Sequence, residues 1–194
     1  MPRKMIAAAG IVVCFGVVSC NLFKTRTPQE PTQVSSTFVQ LSDPEAVIQN
    51  MINAFRDKNK VNYLSSFSDV SFVFEATTKA SNVYGSVFLL WDKSSEEYYF
   101  DQVMNKLQQN SYVTLTFGAT PTTISFADST QVENEYELTV PLAESIIAKN
   151  FKGRAQFMFV RDQNGNWSIR RWLDIGLNTS DSTWSDLKGT FAPP

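Results

Sequence analysis

The chain has 194 residues, a formal net charge of −2 at pH 7 and no histidine. This length fits one ordinary domain with extensions, and the lack of any Lys/Arg cluster in the body of the chain argues against nucleic acid as a partner, because phosphates must be neutralised. Histidine is the commonest transition-metal ligand and the commonest general base, so we expect no metal, no cofactor and no His-dependent catalysis.

The N-terminus has the pattern of an export signal. Arg3 and Lys4 form a positive start, and residues 5–18 are apolar and uncharged. At about 14 residues this run is too short to span a bilayer as a helix. Residues 17–20, Val-Val-Ser-Cys, then resemble the lipobox of bacterial lipoproteins, in which the cysteine is acylated before cleavage.

The resemblance implies that residues 1–19 are a signal peptide and that lipid on Cys20 anchors the mature chain to a membrane of the cell envelope. An uncleaved anchor and an ordinary signal peptide cut nearby are the alternatives. Asn21 is not aspartate, which by the enterobacterial sorting rule favours the outer membrane if the host is Gram-negative. Cys14 lies inside the leader, so the mature chain has no pair of cysteines for a disulfide.

Residues 20–42 predict a flexible tether, and residues 43–194 a single domain. Thr, Ser, Gln and Pro dominate the tether, which shows no helical or alternating period.

The first predicted element of the domain is a helix. Ser42 is a suitable N-cap, Pro44 suits a first turn, and Glu45 follows as in a capping box. Apolar side chains then recur at helical spacing in one stripe, made of Val47, Ile48, Met51, Ile52 and Phe55. A second short helix is predicted after a polar break, with the apolar residues Val61, Leu64 and Phe67.

The rest of the domain is predicted to consist mainly of strands. Residues 71–76 alternate as a strand does, residues 77–90 have no clear period, and residues 87–91 fit a strand or a helix. A helix over 92–110 is followed by four predicted strands, at 112–117, 132–142, 154–161 and 167–174. Asn164-Gly165 between the last two is a strong hairpin signal. Early helices and consecutive later strands predict an α+β domain.

Two shorter segments complete the pattern. The loop 162–166 is rich in oxygen ligands but has one carboxylate, Asp162, so a tight turn is favoured over a calcium loop. In the tail, residues 182–191 fit a short amphipathic turn in which Trp184 and Leu187 dock on the domain.

Two motifs resemble those of the NTF2-like superfamily, also called the cystatin-like cone. One is the entry Tyr63-Leu64-Ser65-Ser66-Phe67 and the other is the closing strand Gly165-Asn166-Trp167-Ser168-Ile169. The resemblance covers residues 43–175 and implies a cone, with N-terminal helices packed on a curved antiparallel sheet around a pocket. It also implies a possible homodimer, since members of this superfamily often pair through their sheets. The motifs are structural, and no catalytic residue can be carried over.

Six residues are candidates for the wall of the implied pocket: Trp91, Tyr99, Tyr136, Phe157, Trp172 and Asp174. Their aromatic character predicts an apolar or aromatic small ligand, although each ring is individually better explained as core. Strand alternation places Trp172 and Asp174 on one face and Arg171 on the other. An acid beside an indole could act as a base, and the alternative is an exposed or salt-bridged aspartate.

Three kinds of function remain open. The leading hypothesis is a non-catalytic module that binds a small ligand or an envelope protein. The alternatives are an enzyme of the isomerase or dehydratase type, with an Asp/Glu base and a tyrosine, and a structural subunit that dimerises. The acids are predicted mostly at the surface, and no serine has a partner base of the type that triads need, which ranks the binding module first.

Overall fold

The computed structural model describes residues 37–143 and 149–194. The predicted signal peptide, the lipidation site at Cys20 and most of the predicted tether lie outside these residues. Within them, no helix is both long enough and apolar enough to cross a bilayer. Residues 37–41 belong to the same compact unit as the domain. Val39, for example, donates its N–H to Asn50 Oδ1 and accepts from Asn50 Nδ2 through its carbonyl, both at 2.6 Å.

The described residues form an α+β domain, as predicted. In chain order its elements are α1 (Pro44–Asp57), α2 (Lys60–Leu64), β1 (Val73–Glu75), α3 (Thr78–Tyr84), a 3-10 turn (Gly85–Phe88), α4 (Lys93–Asn105), β2 (Thr114–Phe117), β3 (Thr122–Ser125), β4 (Ser129–Thr139), β5 (Asn150–Arg161), β6 (Trp167–Ile175) and α5 (Trp184–Thr190). The unassigned segment 77–90 is therefore helical, and β3 is a strand that the sequence did not predict.

The strands form one curved sheet in the order β1-β6-β5-β4-β2, with β3 also paired to β4. The sheet is mixed rather than purely antiparallel, because β1 runs parallel to β6. Parallel neighbours need a crossover connection, and here the whole chain from α3 to β5 supplies it. The β5–β6 hairpin predicted from Asn164-Gly165 is present, and Gly165 adopts the positive φ of 85° that its turn requires.

The first helix begins as its sequence predicts, apart from the identity of its cap. Pro44 occupies the first turn, but the N-cap is Asp43, whose Oδ1 accepts from the Ala46 N–H at 2.8 Å. Ser42 instead donates its hydroxyl to Asp43 Oδ2. A carboxylate at this position is also stabilised by the helix dipole, which explains why aspartate takes the cap.

The core lies between the helices and the inner face of the sheet. Alternate residues of β4 and β5 are buried, as expected for strands with one face on a core. Helix α5 packs inside this space, with Trp184 and Leu187 fully buried. The Trp184 ring meets Trp172 at a centroid distance of 4.5 Å and Tyr136 at 5.3 Å. The predicted docking of the tail is thus confirmed, at the centre of the cone.

Candidate functional site

The six candidate wall residues all lie in the interior of the cone. Trp91 precedes α4, Tyr99 is on α4, and the others are on the sheet; all six are at most 2% exposed. The structure brings them together around α5, whose side chains occupy the space between them. Phe157 packs against Trp172, with their ring centroids 5.2 Å apart. Tyr99 accepts from the Trp184 indole N–H at 2.9 Å.

A buried carboxylate holds the N-terminal end of α5. Tyr136 donates its hydroxyl to Asp174 Oδ1 at 2.8 Å and accepts from the Trp184 N–H at 2.7 Å. Asp174 Oδ2 accepts from Ser185 twice, from the N–H at 2.7 Å and from the hydroxyl at 2.5 Å. Burial raises the pKa of Asp174 above its ordinary value, although the hydrogen bonds from Ser185 and Tyr136 oppose the shift. Asp174 therefore secures the first turn of α5.

A second buried carboxylate meets the other end of α5. Glu96 Oε1 accepts from the Trp91 indole N–H at 2.7 Å and pairs with the Lys188 ammonium, while Glu96 Oε2 accepts from the Tyr63 hydroxyl at 2.7 Å. Glu96 and Lys188 are both fully buried. Burial lowers the pKa of Lys188 to about 8, and the charge of Glu96 opposes this shift.

Aromatic rings enclose the Lys188 ammonium. Its Nζ lies 4.1 Å from the ring centroid of Trp172, 4.2 Å from that of Phe74, 5.1 Å from that of Tyr99 and 5.3 Å from that of Trp91. Each distance is within the range of a cation–π contact. We call these four rings together with Glu96 the ammonium cage.

The surface position expected for most acids is wrong for Glu96 and Asp174. Asp174 points inward because it shares the inner face of β6 with Trp172, as the alternation predicted. Being buried and hydrogen-bonded to neutral groups, it is neither exposed nor salt-bridged. Arg171 lies on the outer face, where its guanidinium makes two hydrogen bonds to Glu75, at 2.5 and 2.8 Å.

The sequence did not indicate that Glu96, Lys188 and Tyr63 belong to this interior. A usable signal was present in α4, since residues spaced by three or four lie on one helix face. Glu96 is on the same stripe as Tyr99, Phe100 and Val103, all of them buried. Lys188 likewise stands four residues after Trp184 and shares its face. A single charged residue within an apolar helical stripe was therefore the sequence signal that pointed to Glu96 and Lys188.

An open cleft lies outside the closed interior. It has a volume of about 560 Å³ and separates the first turns of α1 from β3 and β4. Its wall combines apolar Ile48 and Val132 and polar Thr123 with the carboxylates of Asp43 and Glu45. Its size falls within the range of small-molecule sites. None of the six predicted wall residues lines this cleft.

A second, smaller cleft reaches the N-terminal end of α5. It has a volume of about 450 Å³ and is bordered by Asp174, Gly176, Thr183 and Lys79. The described residues contain no group of three or more acids, histidines or cysteines placed to hold a metal ion.

No family model and no curated protein sequence matches the chain. Several solved structures match it. An NTF2-like superfamily protein from Salmonella enterica serovar Typhimurium matches with a TM-score of 0.52 at 15% identity, over 69% of this chain and 88% of that one. The chain has the NTF2-like fold.

Two further solved structures share this fold at similarly low identity. A putative aromatic ring hydroxylase from Novosphingobium aromaticivorans matches with a TM-score of 0.53 at 14% identity, over 74% of this chain and 92% of that one. A protein of unknown function from Mycobacterium tuberculosis matches with a TM-score of 0.50 at 12% identity, covering 75% and 81%. At such identity the similarity concerns the fold and not the activity. The fold implied by the two sequence motifs is therefore confirmed.

Proposed function

We propose that this protein is a bacterial lipoprotein of the cell envelope, anchored by lipid on Cys20, whose NTF2-like domain is a non-catalytic module that binds small apolar or aromatic molecules. The proposal that the domain binds ligands without catalysing a reaction rests on one observation. Helix α5 fills the interior of the cone and engages the carboxylates of Asp174 and Glu96, while the open cleft between α1 and β3–β4 is lined by apolar and neutral polar groups apart from Asp43 and Glu45.

The interior acids support binding over catalysis because their oxygens are already engaged. Asp174 accepts three hydrogen bonds from Tyr136 and Ser185. Glu96 accepts from Trp91, Tyr63 and Lys188. A general base must reach a substrate proton within hydrogen-bond distance, and Asp174 and Glu96 are at most 1% exposed.

The open cleft supplies a place for a neutral ligand. Apolar walls with a few polar groups are the usual composition of small-molecule sites. The neutral aromatic dye N-phenyl-1-naphthylamine is a suitable probe, because its fluorescence rises in apolar surroundings. We expect saturable binding to the full chain.

Replacement of Thr123, an exposed residue of the cleft wall, tests the location of this binding. Thr123→Trp should fill the cleft and weaken dye binding by about tenfold or more, which corresponds to roughly 1.4 kcal/mol. Thr114→Trp is the matched control, since Thr114 is an exposed strand residue away from this cleft. Equal binding by the two variants, or no binding by the parent protein, would contradict the assignment of the cleft.

Metabolic labelling with a fatty-acid analogue tests the anchor. We expect label on the parent protein and on Cys14→Ala, the control within the leader, and none on Cys20→Ala. Cys20→Ala should also leave the membrane fraction. Undiminished label on Cys20→Ala would refute lipidation at this residue.

A specific observation keeps an enzyme of the isomerase type as the second candidate. Asp174–Tyr136 and Glu96–Tyr63 are both acid–tyrosine pairs joined by hydrogen bonds. Such a pair could exchange the α-protons of a ketone if α5 left the interior. We expect the protein not to accelerate deuterium exchange of an enolisable ketone over buffer. Acceleration that is lost in Asp174→Asn or Glu96→Gln would favour the enzyme.

A further inference from the structure

The ammonium cage is assembled without α5. Phe74 comes from β1, Trp172 from β6, Tyr99 and Glu96 from α4, and Trp91 from the residues just before α4. Helix α5, the last element of the chain, contributes the cation alone. The walls and their occupant therefore come from separate parts of the fold.

The carboxylate of the cage is oriented by groups that also lie outside α5. The Trp91 indole N–H donates to one oxygen of Glu96 and the Tyr63 hydroxyl to the other, each at 2.7 Å. A buried carboxylate held in this way is a preorganised partner for a cation, because the fold has already oriented it and binding loses little further conformational entropy. The cage is thus built as a receptor for a positive charge.

Stability alone is a weak explanation for this arrangement. A buried ion pair is often no more stabilising than apolar residues of similar volume, since both charges lose their hydration. Several aromatic faces around one ammonium are, in contrast, the usual device for recognising ammonium ligands. The composition of the cage matches recognition better than core packing.

Lys188 is held in the ammonium cage by a short helix at the end of a connecting segment, an attachment that permits its exchange for another ammonium group. Helix α5 spans Trp184–Thr190 and is joined to β6 by residues 176–183. A helix of this length is not stable by itself in water and depends on its side-chain contacts. The cleft bordered by Gly176 and Thr183 reaches its N-terminal end from the surface. The Lys188 ammonium can therefore be treated as a tethered ligand.

We propose that the ammonium cage is a binding site for organic ammonium compounds, and that Lys188 of the same chain occupies it in the state described. Ligands of this class carry a primary or methylated ammonium on a short apolar stem, and they compete with Lys188 for Glu96 and the four rings. This site is separate from the open cleft, so the two proposals can fail independently.

The first test removes the tethered cation. Lys188→Ala removes three methylenes and the ammonium, so the space that it leaves corresponds to n-propylammonium. We expect n-propylammonium to raise the melting temperature of this variant with saturation, and 1-propanol and butyrate to have no such effect. Lys79→Ala is the matched control, because Lys79 is a surface lysine near α5. The proposal would be overturned if propanol stabilised Lys188→Ala as strongly as propylammonium does, or if neither compound stabilised it.

The second test needs no variant. In the parent protein, n-propylammonium should accelerate amide hydrogen exchange in residues 184–190 at constant ionic strength, with the rest of the domain unchanged. The half-maximal concentration should be about tenfold or more above that for Lys188→Ala, since a tethered group acts at millimolar effective concentration. Exchange that does not respond to the amine would show that Lys188 is a fixed part of the core and would overturn the proposal.

A third variant distinguishes charge recognition from cavity filling. Glu96→Gln in the Lys188→Ala background keeps the four rings and removes the anionic partner. We expect the response to propylammonium to fall at least about tenfold, the scale of one charge-assisted hydrogen bond. An unchanged response would refute a role for Glu96 in the site. Dye binding at the open cleft should be the same in all these variants.

Discussion

The two ends of α5 are held by buried carboxylates that work in different ways. Asp174 receives neutral donors, from Tyr136 and Ser185, and secures the start of the helix. Glu96 receives two neutral donors and the Lys188 ammonium, so its end of the helix depends on charge balance. Two equally buried acids of one domain therefore differ in the single substitutions that they tolerate.

Removal of the cation should have the largest effect. Lys188→Met leaves Glu96 buried without its counter-charge and should lower the free energy of unfolding by about 3–5 kcal/mol. The double variant Glu96→Gln/Lys188→Met should recover most of this loss, because neither charge remains. Urea denaturation measures both changes, and Lys79→Met serves as the surface control. A double variant as unstable as Lys188→Met would contradict charge balance at this end.

Removal of the other acid should have a smaller effect. Asp174→Ala leaves the Tyr136 hydroxyl and the Ser185 N–H without their acceptor, which should cost about 1–3 kcal/mol. Asp174→Asn should cost less, because its amide oxygen can still accept from one of these groups. Proteolysis between β6 and α5 should increase in Asp174→Ala. If Asp174→Ala were the more damaging of the two single changes, the proposed difference between the ends would be wrong.

The pH dependence of the free energy of unfolding tests the role of charge at the Lys188 end of α5. Lys188 titrates near pH 8 in the folded protein and at its ordinary pKa of 10.5 when unfolded. The unfolded chain therefore binds more protons between these values, and stability should rise with pH from about 8 by at most about 1.4 kcal/mol per pH unit. The difference in free energy of unfolding between the parent protein and Glu96→Gln/Lys188→Met, measured from pH 7.5 to 9.5, isolates this contribution.

The double variant Glu96→Gln/Lys188→Met is a suitable reference for that measurement because it keeps the other buried titratable groups. The buried tyrosines Tyr99 and Tyr136, whose pKa values burial raises, are present in both proteins, so their contributions largely cancel in the difference. A difference that stays flat or falls over this range would contradict the lowered pKa of Lys188.

The smallest effect is expected on the outer face of the sheet. Arg171 and Glu75 pair through two hydrogen bonds but remain 45% and 42% exposed. Arg171→Ala should therefore cost less than about 1 kcal/mol, and the cost should fall as salt is added. A loss as large as that of Asp174→Ala would mean that β1 relies on this pair for its place at the sheet edge.

Local signals predicted most elements of the fold. The capping pattern, the proline and the apolar stripe together predicted α1, although Asp43 rather than Ser42 is its cap. Asn164-Gly165 predicted the last hairpin. Both patterns act over a few residues. Segment 77–90 and β3 escaped prediction for the same reason, since neither has a regular apolar period. The exposed β3 obtains its structure from pairing with β4 rather than from its own sequence.

The candidate site was predicted in part. Strand alternation placed Trp172 and Asp174 on one inner face, and all six predicted wall residues are buried in the interior that this face covers. The sequence did not indicate that the space between them holds α5. An amphipathic turn in the tail has a docking face, but its periodicity does not identify the surface that receives it.

The sequence by itself determined which residues share a face, because helix and strand periods are set by the backbone geometry of the residues themselves. Only the tertiary structure decided which faces meet. Lys188 reaches Glu96 across 92 positions of the chain, and β1 joins β6 after a crossover of similar length. Such contacts form because burial of the aromatic interior is favourable for the fold as a whole, and no local pattern records them.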